Sequence, residues 1–282
     1  MPSTDWKVLT LPNKYPSFSP NPGPPDVKCD DLYRCRRAKG VCEIILYTPQ
    51  HDTTLADLDI AHIKELVDVW AERYRELGSR DYVNYVFIFE NKGREIGVTL
   101  DHPHGQIYAF PFIPPKIQRE LTSSKSYMRK NRECLFCRII SKERAEETRV
   151  VCENEAFICF LPFFARWPYG IHLYPKRHVQ SLLDLSEDER FAFASILKEV
   201  LKKFDNLFGF SFPYMMVFHQ EPTDGKDHYY YHFHVEFYPP YREKDKLKFF
   251  ASVESGAGTI TYDYRPEDKA KELRDAPGYK KI

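Results

Sequence analysis

The segment His102-Pro103-His104-Gly105-Gln106 sets two imidazoles and an amide at every second position. In a strand such positions share one face at ~7 Å steps, so the three groups would form a polar row. Neutral imidazole is a nucleophile at pH 7 and can attack phosphorus to give a phosphoramidate, which splits one group transfer into two steps. The same spacing also suits a structural pair or a metal site, and the residues alone leave both readings open. Upstream, Glu90-Asn91-Lys92-Gly93 and then Gly97 supply an amide, an ammonium and backbone N–H groups of the kind that hold a pyrophosphate. Taken alone, that stretch is a common turn. Cys134 and Cys137 form the one cysteine pair with metal-ligand spacing, the alternative being two buried thiols.

The elements that must position these groups occur twice. A strand-like run Val41 to Tyr47 leads to Pro49 and His51, and Ile60, Ile63, Val67, Trp70, Tyr74 and Leu77 predict a helix ended by Gly78. Strands over Val83 to Glu90 and Ile107 to Phe112 complete the first set. The second set runs from a strand-like Gly170 to Tyr174 through Pro175 and His178 to a helix opened by a Ser186…Glu189 capping box, then a strand Tyr214 to Phe218. His51 is followed by Leu55, Asp57 and Leu58, and His178 at the same offsets by Leu182, Asp184 and Leu185. His232-Phe233-His234-Val235-Glu236 stands where His102 to Gln106 stood. The fold expected is α+β: two tandem units, 1–125 and 133–282, each an antiparallel sheet with packed helices, related by internal duplication. The polar stretch Pro114 to Glu133 is the expected linker, with an ordered, helical beginning around Glu120.

A chain of 282 residues with 43% hydrophobic content can bury a proper core. Its 41 Lys plus Arg balance 41 Asp plus Glu, so no general charge draws it to nucleic acid or a membrane surface, and a phosphate-bearing ligand needs a local site. No apolar run is long enough to span a bilayer and Met1 to Asn13 is not a signal peptide, which makes the cytoplasm the default location. Seven cysteines over this length argue against a disulfide framework.

Phe89-Glu90-Asn91-Lys92-Gly93, Gly97 and His102 to Ala109 together resemble the signature of galactose-1-phosphate uridylyltransferases, a branch of the histidine-triad superfamily. The resemblance continues through Trp167-Pro168, Pro175 to His178, Asp205 to Phe208, Phe212 to Tyr214 and Phe237 to Pro240, covering about Asn13 to Glu254 in order. It implies two histidine-triad-like units and transfer of UMP between UDP-hexose and hexose 1-phosphate through a uridylyl intermediate on His104, with Gln106 hydrogen-bonding that intermediate. Asn13, Asn91 and the backbone near Gly97 match nucleotide-contacting positions, and Glu90, Lys92 and Thr99 belong to the same substrate-binding stretch. Lys248 and Glu254 fall in a segment similar to the one that reaches the hexose phosphate from a neighbouring subunit, so a homodimer is implied.

Family members usually carry an upstream segment with a Cys-x-x-Cys that joins two histidines at zinc. Here His51 and His102 match the histidines while the sequence starts after that segment. Cys29, Cys35 and Cys42 are close together but lack ligand spacing. In the second half, Cys134, Cys137, His178 and His232 make a full Cys2His2 set for zinc. Glu120, His219 and His234 match the family's other metal site, with Glu236 in place of its last histidine; that change favours a harder divalent ion, with iron and zinc the metals considered, or an empty site. His62, His172 and His228 match nothing and read as surface or packing residues. An ADP-sugar or dinucleotide phosphorylase or adenylyltransferase of the same superfamily is the second reading, and a histidine-triad nucleotide hydrolase or binding protein the third. Gln106 weighs against hydrolysis, since hydrolases of the superfamily usually place a third histidine there.

Overall fold

The computed structural model describes residues 5–279; 1–4 and 280–282, the outer ends of the two units read from sequence, lie outside the described residues. The first strands are β1 (Leu9–Pro12) and β2 (Val41–Leu46), followed by helix α1 (Ile60–Gly78), β3 (Tyr85–Lys92) and β4 (His104–Phe110). Helices α2 (Pro115–Asn131) and α3 (Leu135–Glu146) lead to β5 (Val150–Glu153), β6 (Phe157–Phe160) and β7 (His172–Pro175). The long helix α4 (Glu187–Phe208) precedes β8 (Tyr214–His219) and β9 (His234–Tyr238). A small hairpin, β10 (Tyr241–Glu243) and β11 (Lys246–Leu247), and helices α5 (Ser252–Ala257) and α6 (Pro266–Asp275) close the chain.

Nine strands form one antiparallel sheet in the order β1-β2-β4-β3-β8-β9-β7-β6-β5. Around the β3–β8 seam this order reads alike outward: β3 then β4 then β2 on one side, β8 then β9 then β7 on the other. Strand alternation fixes what each face carries. Ile88, Ile107 and Ala109, and across the seam Met216, Phe218, Val235 and Phe237, point to the face covered by α1 and α4, where Trp70 meets Phe218 edge-on at 4.9 Å. Asp59 caps α1 through the His62 N–H, and Ser186 and Glu189 form on α4 the reciprocal capping box that the sequence predicts.

The other face is divided. Over the second half it is closed by α2 and α3, whose Ile117, Leu121, Phe136 and Ile140 pack on Ile158, Phe160 and Tyr174. Over the first half His104, Gln106, Tyr108 and Phe110 stand half-buried, while the intervening Gly105, Ile107 and Ala109 are buried. The expected linker is therefore mostly the 17-residue helix α2, begun by Pro115 at its first turn and ended by Arg132 in the left-handed region. Its amphipathic stripe finds an apolar sheet face to bury, which a view of its polar composition missed. The expectation for cysteines is corrected in one place: Cys29 and Cys35 form a disulfide in an exposed loop, so they are not free to ligate a metal beside the buried thiol of Cys42.

Candidate active site and metal centres

Strand β4 begins at His104, not His102. His102 lies just before the strand and turns aside to His51, their Nδ1 atoms 2.9 Å apart, so the expected same-face row is reduced to His104 and Gln106. His104 Nδ1 sits 2.7 Å from the His102 carbonyl oxygen. A carbonyl only accepts, so Nδ1 carries the proton and Nε2 keeps its lone pair. The next residue has to be glycine, because a Cβ at Gly105 would stand 2.2 Å from the Tyr47 hydroxyl packed beneath the strand. Pairing with β2 on one side and β3 on the other fixes β4, with Gln106 opposite Ile44 and Phe89.

His102 and His104 border a cavity of about 240 Å³ with Glu90, Asn91, Lys92 and Gly93. Gly93 (φ 109°) and Gly97 (φ 87°) flank a short turn, Arg94–Ile96, in conformations that other residues rarely take. The two ends of the Glu90-Asn91-Lys92 run differ in service. Lys92 Nζ donates to Asp205 of α4 at 3.0 Å, so its charge is already paired. Burial pushes the Glu90 carboxyl up to about 7, against the opposing pull of Lys92 and the Tyr214 hydroxyl, which donates to it at 3.0 Å. Thr99 is exposed between Val98 and Leu100, which do line the cavity. Asn13, at the end of edge strand β1, is tied back by its N–H to the Cys42 carbonyl at 2.9 Å and accepts from the Tyr15 N–H.

Lys248 and Glu254 do not border this cavity. Lys248 Nζ reaches the Thr261 carbonyl at 2.8 Å and Glu254 at 3.4 Å, and Glu254 accepts from the Thr261 hydroxyl at 2.6 Å. Beside them Phe249 is 71% exposed.

The second half gathers Cys134, Cys137, His178 and His232, one donor atom from each lying within 4.8 Å of the others. Cys137 Sγ stands 3.4 Å from Nδ1 of both histidines. Their Nε2 atoms point away, to the Tyr229 and Pro175 carbonyls, each at 3.0 Å. Those carbonyls require N–H at Nε2 and leave the Nδ1 lone pairs facing the sulfurs, the outer-shell arrangement of metal-bound histidine. Cys134, at the N-terminus of α3, has its thiol pulled far down, chiefly by the hydrogen bond from Cys137 and against the opposing effect of burial. The donor chemistry and the tautomers both fit zinc.

A second cluster, Glu120, His219, His234 and Glu236, lies under α2 with donors also within 4.8 Å. Glu120 accepts from His219 Nδ1 at 2.9 Å and from the Tyr231 hydroxyl at 2.8 Å. Glu236 accepts from Lys116 and Tyr238, and the buried His234 Nε2 stands 3.5 Å from its other oxygen without a hydrogen bond among the described residues. The two imidazoles and two carboxylates fit a divalent cation in chemistry, with Lys116 competing for one carboxylate. Of the three histidines read as unmatched, His62 Nε2 donates to the Tyr47 carbonyl at 2.7 Å and His228 is buried on Asp224 at 2.8 Å, a packing role. His172 is different: buried on the same face, its Nε2 is 3.4 Å from Glu236. No spacing in the sequence marks it, because β7 joins this face only through pairing with β9.

The family profiles described as galactose-1-phosphate uridyl transferase, N-terminal and C-terminal domains, match residues 5–114 and 120–276. A galactose-1-phosphate uridylyltransferase of Thermotoga maritima is 43% identical over 272 residues, covering 96% of this chain and 85% of that protein. Another, from Haemophilus influenzae, is 35% identical over 95% of this chain and 76% of its own length. A solved uridylyltransferase structure superposes with a TM-score of 0.90 at 40% identity, covering 96% of this chain and 86% of that one. This chain belongs to the galactose-1-phosphate uridyl transferase family.

Proposed function

We propose that the protein exchanges UMP between UDP-glucose and galactose 1-phosphate, as its relatives' names describe, with His104 as the nucleophile. The observation that carries the assignment is the His104 tautomer: Nδ1 is committed to the His102 carbonyl, so the Nε2 lone pair is free at the cavity. Nε2 attacks the α-phosphorus of UDP-glucose; the N–P bond forms as the bond to the bridging oxygen breaks, and glucose 1-phosphate leaves with that oxygen and its electron pair. Galactose 1-phosphate then attacks the same phosphorus through a phosphate oxygen, and the imidazole departs with its electrons restored. Gln106, a neutral amide on the same face, hydrogen-bonds the phosphoramidate oxygens without activating water.

Asn13, Asn91 and the backbone around Gly97 are assigned to the nucleotide, with Glu90, Lys92 and Thr99 shaping that end of the site. Lys248 and Glu254, mutually satisfied and away from this chain's own cavity, suit a role toward the hexose phosphate of a partner in a homodimer. We read the strand order about the β3–β8 seam as two duplicated units, 1–125 and 133–282. Cys134, Cys137, His178 and His232 would hold zinc, which would brace the start of the second half and take no step of the transfer. Glu120, His219, His234 and Glu236 would hold a divalent ion, iron or zinc. His51 and His102 supply only two ligands of the first-half site.

Intact-mass measurement after incubation with UDP-glucose or ADP-glucose tests the reading. A uridylyl adduct is expected; an adenylyl adduct would select the ADP-sugar alternative, and no adduct would point to the hydrolase or binding-protein alternative. Initial rates should follow a ping-pong pattern, and intersecting lines would mean direct transfer.

A further inference from the structure

Three neighbouring strands bring histidines to the cluster under α2. Strand β9 sets His234 and Glu236 two residues apart on one face. His219 of β8 pairs directly with His234, and His172 of β7 pairs directly with Glu236. Residues opposed in an antiparallel pair point to the same side, so the sheet delivers a third imidazole to the two histidines and two carboxylates already gathered there. By the resemblance to the family, Glu236 stands in place of a histidine. His172, directly across from it, returns an imidazole from the next strand. A cavity of about 520 Å³, between α2, the Phe164–Trp167 segment and β9, reaches His172, His234 and Glu236 and gives an ion a way in.

The two oxygens of Glu236 serve different neighbours. Oε2 accepts from Lys116 and Tyr238. Oε1 faces three imidazole nitrogens, His172 Nε2 at 3.4 Å, His234 Nε2 at 3.5 Å and His219 Nδ1 at 3.9 Å. His172 and His234 make their hydrogen bonds through the other ring nitrogen: Nδ1 of His234 meets the His232 carbonyl at 2.9 Å, and Nδ1 of His172 meets the Tyr174 hydroxyl at 3.1 Å. A carbonyl only accepts and a hydroxyl can accept, so both rings can hold the proton at Nδ1 and turn an Nε2 lone pair to the same oxygen. The two rings lie 17° from parallel, with centroids 6.1 Å apart. Lone pairs converging on a buried carboxylate oxygen require a cation among them. Donors that share one ion at bonds of about 2.0–2.2 Å stand roughly 3–3.6 Å from one another, which the 3.4 and 3.5 Å separations match.

We propose that His172 is a further ligand of the divalent ion held by Glu120, His219, His234 and Glu236, making the set three imidazoles and two carboxylates. The inference rests on the reading of that cluster as a divalent-ion site and not on the transfer chemistry at His104. Cobalt(II) is the probe, titrated into full-length protein whose Cys134 cluster is kept loaded with zinc. Thiolate ligands would mark cobalt by an intense charge-transfer band, so its weaker d–d absorption reports the nitrogen and oxygen cluster. The parent protein should take up one cobalt per chain there. His172→Leu, which keeps an apolar-sized side chain in the buried position, should weaken that binding by at least about tenfold and change the d–d bands. His172→Ala should do the same, and free imidazole, entering through the cavity, should restore the parent's bands and affinity. Parent-like bands and affinity in His172→Leu would overturn the ligand and leave the four-residue site standing. A loss in His172→Ala that imidazole does not restore would make His172 a packing residue and overturn the ligand as well. No cobalt uptake by the parent would overturn both the ligand and the ion site. The covalent adduct at His104 is scored in the same samples: its absence, with a His172-dependent cobalt spectrum, would sink the proposed transfer and leave this ligand standing.

Discussion

The two halves place a histidine pair in the same way and finish it differently. Before β4, His51 and His102 meet Nδ1 to Nδ1; before β9, His178 and His232 turn both Nδ1 atoms toward Cys137 and Cys134. The strands that follow differ in the same sense. β4 presents His104 and Gln106 on a face left open by the helices, while β9 presents His234 and Glu236 beneath α2. The first half thus leaves its histidine strand open, and the second covers it. What separates them is coverage of a sheet face and the charge at one position, Gln106 against Glu236.

The sharpest way to break this contrast is to remove each imidazole in turn. His104→Ala should lower transfer by on the order of 10⁴-fold or more and abolish the adduct with folding intact, whereas His234→Ala should keep the adduct. An adduct of unchanged yield in the first variant would end the assignment.

Cys134→Ser attacks the enclosed half instead. Metal analysis should fall from one zinc per chain at this site toward none, with stability lowered by roughly 3–5 kcal/mol before chemistry at His104 changes. Full zinc in the variant, together with a Cys137 that reacts with thiol reagents in the parent protein, would show that the four residues form no site.

A third difference lies on the helix-covered face. Phe89 pairs with Gln106 and Val217 with Glu236, so Glu90 and Phe218 occupy matching positions, one a carboxyl and the other a ring. With its folded pKa raised from 4.5 to about 7, Glu90 binds its proton more tightly in the folded state, so stability should decline as pH rises from about 4.5 to 7. Glu90→Gln, which mimics the protonated form, should flatten that decline and stabilise the protein above pH 7 by up to about 3 kcal/mol. Identical pH–stability curves for the two proteins would refute a buried, neutral Glu90.

The smallest effect is expected at Gln106. Gln106→His should raise hydrolysis relative to transfer by about tenfold, since an imidazole can activate water where an amide cannot. An unchanged ratio would show that coverage, not the side chain, separates transfer from hydrolysis.

Helices α1 and α4 were legible from their apolar spacing, joined in α4 by the capping box, and the Cys2His2 cluster because the repeat places both of its histidines. The row at His102 was misread by one step of strand: nothing in the local sequence says that β4 starts at His104, since the start is set by pairing with Leu46 of β2. The ion pair of Lys92 with Asp205 was not legible either, because the two residues are remote in sequence. The second-half cavity was invisible for the same reason, being assembled from α2, the Phe164–Trp167 segment and β9, which share no motif. His172 gained its meaning only from lying beside Glu236.

The seam between β3 and β8 has a consequence for how the chain holds together when cut. Phe89 to Lys92 pair with Tyr214 to Val217 across it, and α1 lies against α4 over it, so the halves share one sheet and one core without needing the covalent link between them. That link passes through Arg132 and Glu133, exposed between α2 and α3. A protein expressed as two polypeptides divided there would reassemble by fragment complementation, and neither piece alone would cover the apolar edge that the seam leaves behind.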